Sequence, residues 1–285
     1  MAALTCDWHI HTHNSCDSAS LRLPDLVAGA RQAGIRDLGI ADHLHTLYNL
    51  PDLEASRRDF LAVGPSPRLH FGVEVSCVTR WELEEIGRGG HADPVYGLRQ
   101  GGPPGGPLAI GLGEEEIAAL GIEYVVGGAH WPLYVPLERQ AVIRDYHRQN
   151  MFLATHPLVT IVAHPWWWMG HWQGEDGRYC GEPWLDDFGV IPKSMHDEFA
   201  AALREQGKVM EVNLGAMVLS RAYPEAFKRQ YLEYLAGLRE RGVQLTIGSD
   251  CHGASYEMAF GRAAELLASV GIHDADCWRL PPREE

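Results

Sequence analysis

Along the chain, short apolar runs alternate with stretches whose apolar positions recur at helical spacing. Seven runs read as strands, at residues 4–10, 38–41, 70–75, 124–129, 160–163, 209–212 and 244–247. Several are apolar at nearly every position, as strands buried on both faces of a parallel sheet must be. Helical periodicity lies between them, at 23–33, 51–62, 114–119, 137–154, 193–206, 224–241 and 256–270. Asp25 and Asp197 bring negative charge to the first turns of two of these helices. Alternation of this kind predicts an α/β fold, either a β/α barrel or a doubly wound sheet. Two segments break the rhythm: the Gly- and Pro-rich 80–113 and the Trp-rich 166–192. Both read as loop insertions. With no repeat and no composition boundary, residues 1–285 are expected to form one domain.

Composition narrows the function classes. The 285 residues suit one barrel-type domain, and 46% apolar content supplies a sizeable core. With 24 basic and 38 acidic residues the formal net charge is −14, which disfavours nucleic acid and anionic membrane as partners. The first residues lack the basic start and apolar core of a signal peptide. No apolar run reaches the length of about 18 residues that a membrane span needs. The six cysteines form no C-x-x-C pair, which points to free thiols in a reducing compartment and a cytoplasmic protein.

The candidate chemistry lies at the strand ends. The first strand runs into His9-Ile10-His11, with Asp17 shortly after. The second ends on Asp42-His43, the third on Glu74, and the fourth runs into Gly128-Ala129-His130. The fifth ends on His164-Pro165 and the seventh on Ser249-Asp250-Cys251-His252. Only the sixth, ending near Glu211 and Asn213, offers no obvious ligand. In a barrel, strand C-termini converge on one face, so these groups meet in space. Alternate residues on a strand point the same way, which lets His9 and His11 face the axis together. Taken singly, an H-x-H pair is more often surface or core, and a lone Glu74 is as easily a salt bridge or a cap. The joint pattern is what specifies metal. Imidazole and carboxylate together suit Zn, Mn or Fe, and one carboxylate can bridge two ions.

The set H-x-H, D-H, a strand-end Glu, G-x-H, A-H-P and G-S-D-x-H resembles the polymerase and histidinol phosphatase (PHP) family of phosphoesterases. The likeness runs from Asp7 to His252. It implies a distorted (β/α)7 barrel, TIM-like, with its active site at the strand C-termini and two or three divalent ions. Carried over, His9, His11, Glu74 and Asp250 would hold the first ion. Glu74 would bridge to a second, held with His130 and His164. Asp17, His43 and His252 would hold a third. Asp17 stands where some members of the family have His, which leaves open which metal binds.

The resemblance implies hydrolysis of a small phosphorylated metabolite, a phosphomonoester such as histidinol phosphate or else a phosphodiester. A metal-bridging hydroxide is the expected nucleophile. Glu74, Asp250 and His252 are the expected catalytic groups, with Arg221 as a phosphate contact. Asp7 is expected to orient a ligand histidine. His13 and His45 read as surface residues, His91 and His171 as exposed, and Cys16 and Cys251 as buried thiols. Trp131 and Trp166–Trp168 read as loop packing, with an aromatic wall for a substrate ring as the alternative. Two other functions compete. An amidohydrolase-like enzyme acting on C–N or C–O bonds often uses a carboxylated lysine, and Lys193, Lys208 and Lys228 all lie away from predicted strand ends. A nuclease-type PHP module is disfavoured by the acidic charge.

Overall fold

The apolar runs pair edge to edge as parallel strands, and the amphipathic stretches return the chain between them. The computed structural model describes residues 3–17, 19–64, 66–89, 98, 101–167 and 187–282. In chain order the elements are β1 (Cys6–Asp7), α1 (Leu23–Ala33), β2 (Asp37–Ile40), β3 (His43–Leu44), α2 (Leu50–Val63), β4 (Leu69–Ser76), β5 (Val78–Thr79), α3 (Arg80–Gly87) and β6 (Leu108–Ala109). There follow α4 (Glu114–Leu120), β7 (Tyr124–Gly128), α5 (Arg139–Thr155), β8 (Ile161–Ala163), α6 (Lys193–Glu205), β9 (Val209–Asn213), α7 (Glu225–Glu240), β10 (Gln244–Gly248) and α8 (Phe260–Ser269).

The main sheet runs β1-β2-β4-β7-β8-β9-β10, parallel throughout, and β3 continues the line of β2 along β4. The ends meet. Trp8 N donates to Ile247 O at 2.9 Å, Asp250 N to His9 O at 2.7 Å, and His11 N to Cys251 O at 3.1 Å. The result is a nearly closed barrel of seven parallel strands with helices alternating around it. All seven predicted strands are present. The first is regular only over Cys6–Asp7 and, through an isolated bridge at Ile10, also pairs with Cys251 just beyond β10.

Seven predicted helices form, two of them opened by Pro24 and Pro51 in their first turns, where a missing N–H costs nothing. Two expectations need correction. Helix α8 starts at Phe260, not near 256, because Tyr256 is held out of helical geometry: its hydroxyl donates to Asp7 at 2.6 Å. The Gly- and Pro-rich segment also holds regular structure. Thr79 caps α3 by accepting from Glu82 N at 3.2 Å, and β5 pairs antiparallel with β6.

Tyr124 occupies the barrel interior below the site. Its hydroxyl lies 3.0 Å from both Trp8 O and Ile40 O. Two glycines make the room. A Cβ on Gly39 would stand 2.1 Å from the Tyr124 hydroxyl, and one on Gly72 would stand 2.4 Å from its Cζ. Among the described residues, no helix is long and apolar enough to cross a membrane.

Candidate metal centre

The C-terminal rim of the barrel gathers all nine groups named from the sequence as metal ligands. Glu74, fully buried at the end of β4, sits at their centre and divides them by its two oxygens. Its Oε1 lies 3.1 Å from His130 Nε2 and 3.0 Å from His164 Nε2. Its Oε2 lies 3.1 Å from His9 Nε2, 3.5 Å from His11 Nε2 and 2.9 Å from His43 Nδ1. Asp250 Oδ1 is 3.3 Å from His11 Nε2 and 3.7 Å from His9 Nε2. Asp17 Oδ2 stands 3.2 Å from His43 Nε2 and 2.6 Å from His252 Nε2. Ligand-type atoms come within 4.8 Å of one another in four overlapping groups: His11–Asp17–His43–His252, His9–His11–Glu74, His9–His164–Asp250 and His43–Glu74–His130. Compared with the set implied by the resemblance, His11 also lies with Asp17, His43 and His252, His43 also lies with Glu74 and His130, and His164 lies with His9 and Asp250.

These residues fit divalent ions on three grounds. First, metal bonds of about 2.0–2.2 Å at tetrahedral angles place neighbouring ligand atoms roughly 3.3–3.6 Å apart, and the contacts around Glu74, at 2.9–3.5 Å, need open only slightly to admit an ion. Second, Glu74 Oε2, His130 Nε2 and Asp17 Oδ1 are buried and make no hydrogen bond of good geometry, so they lack the partners that burial otherwise demands. Third, Glu74, Asp250, Asp17 and Glu211 bring four carboxylates together, and no lysine or arginine among the described residues pairs with any of them. Buried charge of one sign requires a counter-charge.

The carboxylates are held ionised, and the imidazoles divide according to their neighbours. Burial would raise Glu74, but His9, His130 and His43 hold it well below the usual carboxylate range. Asp250 is likewise held low against burial, chiefly by His9. Burial and the charges of His252 and His43 push His11 down to about 3, and burial takes His130 to about 4. Burial also opposes charge on His9, yet Glu74, Glu211 and Asp250 hold it well above its ordinary value. Against burial, neighbouring carboxylates also raise His43 to about 10 and raise His164 and His252. Metal binds ionised carboxylates and neutral imidazoles, so an ion at the site would take the place of these protons.

Two candidate ligands sit in strained backbone. His164 has φ 26° and Asp250 φ 56°, the left-handed region that non-glycine residues avoid at a cost of about 1–3 kcal/mol each. Each turns its side chain back over the barrel mouth just past the end of β8 or β10.

Several readings from sequence are corrected here. Strand β9 does serve the site: Glu211 accepts from His9 Nδ1 at 2.6 Å and from His164 N at 3.0 Å, and Asn213 bridges Glu211 and Asp250 at 3.0 and 3.1 Å. His45, expected on the surface, is buried; it stacks on His43 at 4.3 Å and bonds Ser76 Oγ at 2.6 Å. Ser76 Oγ in turn lies 2.8 Å from His130 Nδ1. The physical reason is spacing: His43 and His45 stand two apart, like His9 and His11, so both turn inward. Asp7 orients no ligand ring; its carboxylate takes Ser249 N at 2.8 Å, Tyr256 Oη at 2.6 Å and His9 N at 3.3 Å. Its pKa is pushed up to about 6 by burial.

A cavity of about 320 Å³ opens above the cluster, lined by Asp17, His43, His45, Glu74, His130 and His164 with Trp167, Gly215, Ala216, Asp250 and His252. Trp167, half-buried, stands edge-on to His164 at 5.2 Å, while Trp131 and Trp166 are packed away. Arg221 is exposed and does not line the cavity. Burial raises the Cys16 and Cys251 thiols, so neither is a ready thiolate. His13 is exposed, and Trp168, His91 and His171 lie outside the described residues. The three lysines are elsewhere: Lys193 pairs with Asp197, Lys228 with Glu225, and Lys208 binds the carbonyls of His156 and Val159.

No protein-family model and no curated sequence matches the chain. Among solved structures it is similar to the histidinol phosphate phosphatase of Lactococcus lactis subsp. lactis Il1403, complexed with zinc, L-histidinol and phosphate. The TM-score is 0.63 at 16% identity, covering 94% of both chains. At that identity the likeness establishes the fold. A Xaa-Pro dipeptidase with bound methionine follows at TM-score 0.42 and 14% identity, covering 95% of this chain and 71% of that one. The A. niger ochratoxinase follows at 0.40 and 14%, covering 95% and 67%.

Proposed function

We propose that the chain is a metal-dependent phosphoesterase acting on a small phosphorylated metabolite, a phosphomonoester of the histidinol phosphate kind. The observation that carries this reading is Glu74. One buried carboxylate presents Oε1 to one pair of imidazoles and Oε2 to three others, directly beneath the cavity. That is the arrangement of a bridging ligand. His9, His11, Glu74 and Asp250 would hold one ion, and Glu74, His130 and His164 a second. Asp17, His43 and His252 would hold a third. Divalent ions bound there, Zn, Mn or Fe, supply Lewis-acid activation of water and neutralise charge on phosphoryl oxygens.

The chain's own residues do the rest. The carboxylates keep other anions out until metal has neutralised them. Trp167 gives the cavity one aromatic wall, suited to a substrate ring. The amidohydrolase-like alternative that relies on a carboxylated lysine has no lysine at the site to use. The reading is tested by metal content, from mass spectrometry, beside hydrolysis of p-nitrophenyl phosphate, for wild type and Glu74→Ala. About two to three equivalents of transition metal, with activity lost in the variant, is the expected result. Metal without phosphatase activity on any phosphomonoester would move the assignment to another hydrolase class. Absence of metal, with no gain on adding Zn or Mn, would end it.

A further inference from the structure

We infer that Glu211 is a positioning residue of the metal centre: it fixes the tautomer of His9 so that Nε2 keeps its lone pair for an ion. The inference rests on the metal reading above and adds a residue on the one strand that offers no ligand of its own.

Glu211 lies on β9, wholly buried, between Met210 and Val212. Each of its oxygens already has a task. Oε1 faces His9 Nδ1 at 2.6 Å. Oε2 accepts from the backbone N–H of His164 at 3.0 Å and from the Asn213 amide at 3.0 Å. The seat is made by Gly248 on the neighbouring strand, since no residue with a Cβ would admit Glu211 there. A Cβ at 248 would stand 1.9 Å from Oε1. A carboxylate offers only acceptors. His9 Nδ1 must therefore be the donor, and a neutral His9 carries its proton there and none on Nε2. Nε2 is the atom that points at Glu74 and Asp250. A carboxylate behind a ligand imidazole also makes it a stronger base and a stronger ligand.

Glutamine cannot do this. It has one acceptor oxygen for two sites that each present a donor. If its oxygen faces His164 N, its amide faces His9 Nδ1, and the imidazole must move its proton to Nε2, closing that atom to metal. If its oxygen faces His9, its amide meets the N–H of His164, a ligand residue already held in left-handed backbone. In the absence of metal, His9 protonated at Nε2 can still donate to Glu74. The Glu211→Gln chain should therefore fold without metal, less stable than wild type because a buried partner of His9 is gone, and lose affinity when metal is offered.

The experiment compares wild type and Glu211→Gln for Zn affinity, by competition with a chromogenic chelator. It measures bound equivalents by mass spectrometry and thermal unfolding in EDTA. The expected result is a variant that still unfolds cooperatively in EDTA, at a somewhat lower temperature than wild type, with an affinity about 10–100-fold weaker for the ion that uses His9. Equal Zn affinity in the two proteins would overturn the inference while leaving the metal centre standing. A variant that fails to fold in EDTA, where wild type folds, would also overturn it and make Glu211 a structural residue. A wild type that binds no metal would remove the premise and the inference together.

Discussion

Replacing Gly128 by alanine adds one methyl group at the end of β7, inside the barrel mouth. That carbon would stand 2.7 Å from Glu74 Oε1, 2.7 Å from His130 Cε1 and 2.9 Å from His164 Cε1. Ordinary contacts between such atoms are about 3.5–4.0 Å, so each neighbour must retreat by roughly 0.6 Å or more. Metal–ligand bonds tolerate about 0.2 Å. The displacement is several times that tolerance, and it falls on all three groups assigned to one ion. Gly128→Ala should therefore weaken that ion's binding at least about 10–100-fold, or roughly 1.4–2.7 kcal/mol. Overpacking should cost a further 1–3 kcal/mol or so in fold stability. Metal equivalents and chelator competition read the first effect, and urea unfolding in EDTA reads the second. Gly261→Ala is the control, since a Cβ there meets nothing within 4 Å on helix α8. It should leave metal binding untouched and be neutral or stabilising by about 1 kcal/mol. If Gly128→Ala keeps wild-type stoichiometry and affinity, Glu74 Oε1, His130 and His164 do not share an ion.

Two further expectations concern the scaffold. His196 stacks on Phe188 at 5.3 Å, and burial pushes its pKa down to about 4, against an unfolded value near 6.5. The unfolded chain takes up a proton that the folded one refuses, so stability is present above about pH 6.5 and falls as pH drops toward 4. Between about pH 7.5 and pH 5 wild type should lose about 1–2 kcal/mol more than His196→Phe, allowing for its partial exposure. Equal acid sensitivity in the two would show the ring to be solvated. Gly39→Ala should destabilise by about 3 kcal/mol or more, because its methyl meets the Tyr124 hydroxyl. Tyr124→Phe removes that atom, so the double variant should recover part of the loss. Strict additivity in denaturant titrations would refute the clash.

What the sequence disclosed follows from where apolar periodicity is strong. The parallel strands β4, β7, β9 and β10 are buried over nearly their whole length and stand out as apolar runs. Strands β3, β5 and β6 have two residues each, too few for any period. Helix α3 lay hidden beside a Gly- and Pro-rich stretch. The start of α8 was misplaced because a tertiary contact, Tyr256 with Asp7, overrides local preference. The clustered positions are legible because imidazoles and carboxylates recur at the ends of several buried strands, though each taken singly has other uses. Glu211 was passed over even though an acidic residue inside an otherwise apolar strand end is itself a signal. His45 was read as surface although it repeats the two-residue spacing of His9 and His11. Arg221 was judged by its place in the chain, and chain position does not show which way a loop turns.

The closure of β1 onto β10 has a consequence for biosynthesis. Asp250 is made long after His9, yet the two must stand within a few ångströms for the cluster to exist. A nascent chain cannot gather its carboxylates and imidazoles until β10 has cleared the ribosome. The complete cluster therefore exists only once the last strand has closed the barrel against the first.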